Sequence, residues 1–410
     1  MTGVGRHAAR GGSRWPFRRI AGVLAVTSFG AGIPTPLYAI YEHQYHFTSG
    51  ILAAIFAAYT AGVLATMLLV APLSDVIGRK PVLYVGMVLT AASGLAFIFA
   101  SGVVTLALAR VTSGLAVGAT TSTATASMAS LEPRRDQHHV ARVSVAANFG
   151  GVAVGILLSG FLVEYAPAPT ELVFLVLIAA SVAGIGAIAA TRETVARRPP
   201  ALRQRVQRLQ VPSRIQRPFW VAAGSLAACY AIYGFFGAMA PTFLRADLGI
   251  GAPAGSASLI AVMFGLAAIT QLVLGQVRDR RALLDGLPLI FIATVLLTSA
   301  LPLTSFGLFL VGAAVLGIGV GFAYMGAVTL IDRVSPALER GEILSAFFVV
   351  GYLALAIPTI GVGVTADRFG LTAAATSFGI ALALVVAVLY LLTHRTPTPP
   401  GGEGRPRNAA

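Results

Sequence analysis

Twelve apolar runs, each long enough to cross a bilayer as a helix, constrain this 410-residue chain more than any other feature. They cover approximately residues 19–41, 51–73, 81–101, 103–127, 141–164, 171–190, 218–244, 256–277, 283–304, 306–331, 343–366 and 371–393. A crossing takes roughly 20 mainly apolar residues. In hydrocarbon an unpaired backbone group costs several kcal/mol, so runs of this length predict helices. Charged residues make up 11% of the chain, against about a quarter in a soluble domain, and this removes the water-soluble classes. Tight Gly/Pro turns part the third run from the fourth and the ninth from the tenth.

The formal net charge of +14 invites a nucleic-acid reading, and its distribution removes it. With the N-terminus on the cytoplasmic side, 26 of the 29 Lys and Arg residues fall in inner segments. Outer loops hold only Arg245 and Arg368, with Asp247 and Asp367 close by, and Arg110 alone lies within a run. This asymmetry follows the positive-inside rule and predicts that both termini are cytoplasmic. The partner that the basic charge implies is a lipid bilayer, with no nucleic acid. The first run is too long for the core of a cleavable signal peptide, and no small-residue cleavage pattern follows it. A single cysteine, Cys229, excludes intrachain disulfides and Cys-based metal clusters.

Residues 191–217 interrupt the pattern of short loops with eight Arg and three Pro. Leu202, Val206 and Leu209 fall at i, i+4 and i+7 with Arg203, Arg205 and Arg208 between them. That spacing suits an amphipathic helix on the inner membrane face; a disordered basic linker is the alternative. The chain then divides into a disordered basic tail (1–17), a six-helix bundle (18–190), the linker (191–217), a second six-helix bundle (218–394) and a disordered tail (395–410). The halves share weak similarity at an offset near 204. Gly32-Ile-Pro-Thr-Pro36 corresponds to Gly237-Ala-Met-Ala-Pro241, Asp75 to Asp279, and Glu164 to Asp367.

Between the second and third runs lies Ala71-Pro-Leu-Ser-Asp-Val-Ile-Gly-Arg-Lys-Pro-Val-Leu83, which confines one Asp and two basic residues to a turn. It resembles the loop between helices 2 and 3 of the major facilitator superfamily, Gly-x-Leu-Ala/Ser-Asp-Arg-x-Gly-Arg-Lys. Leu73, Ser74, Asp75, Gly78, Arg79 and Lys80 match, while Ala71 and Val76 depart from the pattern. The resemblance implies an all-α integral membrane protein with 12 transmembrane helices in two pseudo-symmetric six-helix bundles. It also implies secondary transport, with substrate bound near the midplane between the halves. By the same resemblance Asp75, Gly78, Arg79 and Lys80 form an inner gate. Asp279 and Arg280, in the degenerate copy Gly275-Gln-Val-Arg-Asp-Arg-Arg281, form its weaker twin. The plain alternative is loop charge that sets topology.

Arg110 is the one charge deep inside a run. A charged side chain at the centre of a membrane helix costs about 2.5–3.5 kcal/mol on insertion scales and marks a functional candidate. Its surroundings, Leu108-Ala-Arg-Val-Thr-Ser-Gly114, resemble the Arg-x-x-Gln-Gly pattern of facilitator helix 4, with Ser113 in the Gln position. The resemblance implies a coupling or switch role; a packing Arg bonded to backbone carbonyls is the alternative. No carboxylate lies near the middle of a run. Glu42, at the outer end of the first run beside His43 and His46, is the nearest, and reads either as a proton-uptake group or as a solvated outer-loop residue. Gly150-Gly-Val-Ala-Val-Gly155-Ile-Leu-Leu-Ser-Gly160 resembles the Gly-x-x-x-Gly-Pro-x-x-Gly-Gly signature of facilitator antiporters, and its small residues also permit close helix contact.

The polar and aromatic side chains at middle depth are the candidate cavity lining: Tyr59, Asn148, Tyr230, Tyr233, Gln271, Tyr324 and Tyr352. A lining so poor in charge suits neutral, hydrophobic or weakly polar solutes, and Arg110 leaves a monoanion open. The expectation is a secondary transporter of the drug and metabolite efflux kind, driven by proton antiport through the resemblance alone. It works without cofactor or metal, as a monomer, in the inner membrane of a bacterium. Proton-coupled uptake of a sugar-like or small organic solute is an alternative, and a ligand sensor that does not transport is another. No HExxH, Ser/His/Asp or Cys/His set occurs in the runs, so no catalytic residues are expected.

Overall fold

The computed structural model describes residues 14–69, 77–134, 136–195, 211–247, 249, 251–274, 279–300, 303–336 and 339–395. Twelve helical spans long and apolar enough to cross a membrane follow one another. Two of them are broken, so the α-helices among the described residues number fourteen: α1 (Trp15–Gly32), α2 (Pro34–Tyr45), α3 (Ser49–Leu69), α4 (Arg79–Ile98), α5 (Val103–Leu131), α6 (Gln137–Tyr165), α7 (Leu172–Ala189), α8 (Gln216–Ala238), α9 (Ala240–Asp247), α10 (Pro253–Leu274), α11 (Asp279–Ala300), α12 (Phe306–Val334), α13 (Arg340–Phe369) and α14 (Leu371–Arg395). The third and fourth spans, and the ninth and tenth, are separate helices. Gly102 precedes α5, and Ser305 caps α12 by accepting the Leu308 N–H.

The two breaks have a common cause. Pro34 and Pro36 lack N–H groups, so the carbonyls four residues earlier lose their helical donors, and the first span breaks at Ile33. The seventh span breaks at Met239 just before Pro241. These are the positions paired by the internal similarity of the sequence.

Helix packing repeats in the same way. In the first half α5 packs on α3 and α4, α6 on α1, and α4 on α7. In the second half α12 packs on α10 and α11, α13 on α8, and α11 on α14. The halves meet through α6 on α10 and α13 on α3. Large apolar side chains such as Val85, Leu108, Val182, Leu384 and Val388 are exposed on the outside of the bundle, where lipid tails would cover them. Because the spans alternate in direction, both described chain ends lie at one end of the bundle, the terminal end. The opposite end is called distal below.

Candidate functional site

Arg110 lies seven residues into α5, roughly 10 Å along it, and is 1% exposed. Its Nε donates to the Tyr38 hydroxyl, and its Nη1 donates to the Ala31 carbonyl at 3.1 Å, beside the break between α1 and α2. The rings of Tyr38, Phe56, Tyr59 and Phe97 surround the guanidinium at 5.1, 5.4, 5.7 and 5.9 Å from its carbon to their centroids. Its Nη2 has no partner among the described residues. The packing alternative therefore accounts for two of its nitrogens and leaves the third without an acceptor among the described residues.

A cavity of about 100 Å³ lies between the two halves. The first half contributes Tyr59, Arg110, Asn148 and Phe149 among others, and the second contributes Tyr230, Tyr233, Phe264, Tyr324 and Tyr352. Six of the seven expected lining residues are thus brought together. Phe149 ties the halves across it, with ring centroids 5.1 Å from Tyr233 and 5.2 Å from Tyr324. Tyr230 stands against Tyr352 at 5.0 Å and over Tyr324 at 6.4 Å. No Asp or Glu is among the lining residues.

Gln271 is the exception. It is buried on α10 seven residues beyond Phe264, about two turns toward the terminal end, and does not reach this cavity. Phe149 and Phe264 carry no polar signal that would separate them from ordinary core in the sequence. Glu42 also departs from its loop reading: it is half-buried within α2, where its carboxylate accepts from Ser49 Oγ (3.4 Å) and, across the halves, from Thr242 Oγ1 (3.3 Å).

Two further hydrogen bonds join the halves, and they are related to one another. The Glu164 carboxylate, near the end of α6, accepts the Ala254 N–H at the start of α10 (2.8 Å). The Asp367 carboxylate, near the end of α13, accepts the Gly50 N–H at the start of α3 (2.9 Å). Each acceptor meets the second residue of its partner helix, where a free N–H and the helix dipole both favour an anion. These three side-chain hydrogen bonds between the halves lie at the distal end.

At the terminal end Asp75 falls outside the described residues, as do the rest of the 70–76 segment, the 202–209 segment and residues 1–13 and 396–410 of the two tails, whereas Trp15–Phe17 and Arg395, assigned to the tails from sequence, belong to α1 and α14. Gly78, Arg79 and Lys80 are described. Gly78 precedes α4 with a φ of 99°, and a Cβ there would stand 2.9 Å from Glu193 Oε2. Glu193 then accepts the Arg79 N–H (3.2 Å) and the Lys80 N–H (3.0 Å). Burial raises the Glu193 pKa, but the N–H groups of Lys80, Thr194, Val195 and Arg79 outweigh it and hold the carboxyl below its ordinary value.

Arg79 Nη1 donates to the Ala126 carbonyl (2.7 Å) and Ser130 Oγ (2.7 Å) near the end of α5, and Lys80 Nζ donates to the last α7 carbonyl, Ala189 (3.3 Å). Arg280 repeats the arrangement in the second half, with Nη2 on the His394 carbonyl at the end of α14 (2.8 Å). Cations at helix C-termini are electrostatically matched to the carbonyls left free there. Asp279 opens α11. Glu193 was not singled out by its sequence surroundings, Thr191-Arg-Glu-Thr194, which lie at the edge of an Arg-rich segment.

With this geometry in view, the sequence itself matches the family description Major Facilitator Superfamily over residues 20–359. The chain belongs to the major facilitator superfamily. Its fold is similar to that of the human organic anion transporter MFSD10 (TETRAN), with a TM-score of 0.69 over 93% of this chain and 99% of that one, at 14% sequence identity. No curated protein gives a significant sequence match. Family and fold together support a secondary transporter. In this facilitator the central cavity sits where both halves contribute side chains.

Proposed function

We propose that this facilitator moves a small solute with a mainly apolar or weakly polar body across the membrane by alternating access, as proton-driven efflux. It acts as a monomer in the plasma membrane of a bacterium, with both termini cytoplasmic. The observation that carries the transport reading is the cavity: its walls come from α1, α2, α3, α5 and α6 of the first half and α8, α10, α12 and α13 of the second, so rocking one half on the other changes its access. The three hydrogen bonds between the halves at the distal end suit a state closed to the outside. The Gly78–Lys80 corner with Asp75 is the corresponding inner gate, and Arg280 with Asp279 its twin. Efflux by antiport is supported by the likeness of the Gly150–Gly160 stretch to the signature of facilitator antiporters.

One observation favours uptake by proton symport as the second reading. The cavity is lined by a cation and by no carboxylate, so it offers no group to exchange a proton against a cationic cargo. Purified protein in proteoliposomes with an imposed pH gradient separates the readings. Efflux predicts solute movement against the proton flow, abolished when the gradient is collapsed. Movement with the protons establishes symport, and binding without counterflow establishes a sensor.

A further inference from the structure

The cavity holds one formal charge and no counter-charge. Arg110 is buried from solvent, its Nε and Nη1 are occupied by Tyr38 and Ala31, and its Nη2 lacks an acceptor among the described residues. A guanidinium has five N–H donors and no acceptor, and Arg110 is one of the residues that line the cavity, so its unused nitrogen can be satisfied only by water or by an electron-rich group of an occupant. The surrounding ring faces attract the cation through their quadrupoles but carry no charge, so the site stays net positive. A buried charge left unpaired is strongly unfavourable, and an anionic occupant removes that penalty.

From this geometry we infer that the cavity takes a small monoanion, a carboxylate or sulfonate on an aromatic or apolar body. The oxyanion meets Arg110 Nη2, and the body packs against Phe149, Tyr230, Tyr233 and Phe264. This rests on the reading of the central cavity as the transport site. A dianion would leave its second charge among rings, because the lining contains no second cation. A cationic solute would face Arg110 with like charge in a medium that screens poorly.

The test uses the purified full-length protein in detergent near neutral pH, with three probes of one size and differing charge: benzoate, benzamide and benzylammonium. Isothermal titration is expected to give benzoate an affinity at least about tenfold above that of benzamide, the difference that one charge-assisted hydrogen bond supplies. Benzylammonium is expected to bind weakest. Arg110→Gln should erase the preference for benzoate over benzamide, and Arg110→Lys should keep part of it.

Benzamide or benzylammonium binding the unaltered protein as tightly as benzoate overturns the inference, as does the absence of benzoate binding. These outcomes hold even if the Arg110 variants fail to fold. Tyr230→Ala separates this inference from the reading beneath it. If that change weakens all three probes alike but no charge preference exists, the cavity stands and the anion specificity falls. If it changes no affinity, the cavity reading itself falls.

Discussion

At the scale of single residues, the corner between the second and third spans is organised by a carboxylate from a third place in the chain. Glu193 closes the start of α4 by accepting two N–H groups, and Gly78 supplies the backbone conformation that lets it approach. Glu193→Gln keeps the size and loses the charge, and is expected to lower stability by about 1 kcal/mol, the usual worth of a helix cap. Thermal unfolding in detergent measures it. Because the folded-state carboxyl is held below its ordinary value, its contribution is present above the ordinary carboxylate range and is lost as pH falls through the lowered pKa. The difference between Glu193→Gln and the parent protein should therefore shrink in acid, and a constant difference would remove the charged clasp. Gly78→Ala combines a positive φ with a clash against the same carboxylate, and should cost about 1–3 kcal/mol.

At the scale of elements, α6 explains a motif that admitted two readings. Gly151 and Gly155 let α6 lie directly on α1: a Cβ at Gly155 would stand 2.3 Å from the Phe29 carbonyl oxygen, and one at Gly151 would stand 2.5 Å from that of Ala25. Ser159, where the antiporter signature has a glycine, donates to the Ile33 carbonyl at the α1–α2 break (2.7 Å). Gly150 faces open space. Packing thus accounts for the spacing without any contact to cargo. Gly155→Ala should destabilise by about 1–3 kcal/mol through overpacking, whereas Gly150→Ala should stay within about 0.5 kcal/mol. Equal melting temperatures for the two variants would contradict this assignment.

At the scale of the whole molecule, the repeat extends to the hydrogen bonds between the halves. Glu164 on the start of α10 and Asp367 on the start of α3 are twin latches between the halves, one for each copy of the repeat. Removing both charges with Glu164→Gln and Asp367→Asn should favour the conformer open at the distal end. Each cap is worth about 1 kcal/mol, so the pair should move the equilibrium by roughly tenfold or more. Electron–electron resonance distances between spin labels at Thr48 and Arg368 report this shift, and the single native cysteine, Cys229, is buried and does not compete for label. An unchanged distance distribution would rule the latch out.

The number of spans, their approximate limits, the repeat of two halves with its paired prolines Pro36 and Pro241, and the family were all legible in the sequence. Each depends on hydrophobicity over a stretch of consecutive residues or on a local motif, and the bilayer converts such stretches into helices with little help from distant residues. Most of the cavity was legible for the same reason, since a Tyr or Asn at middle depth has few places to go except the interior. The other properties required tertiary structure. Which carbonyls and rings surround Arg110, that one of its nitrogens is left over, that Gln271 falls two turns short of the cavity and that Glu193 reaches back more than a hundred residues are consequences of helix rotation and long-range contact. Hydropathy averages over a helix and carries no record of its rotation. Which of the Arg110 nitrogens find acceptors could therefore be read only once α1, α2 and α5 were set around it.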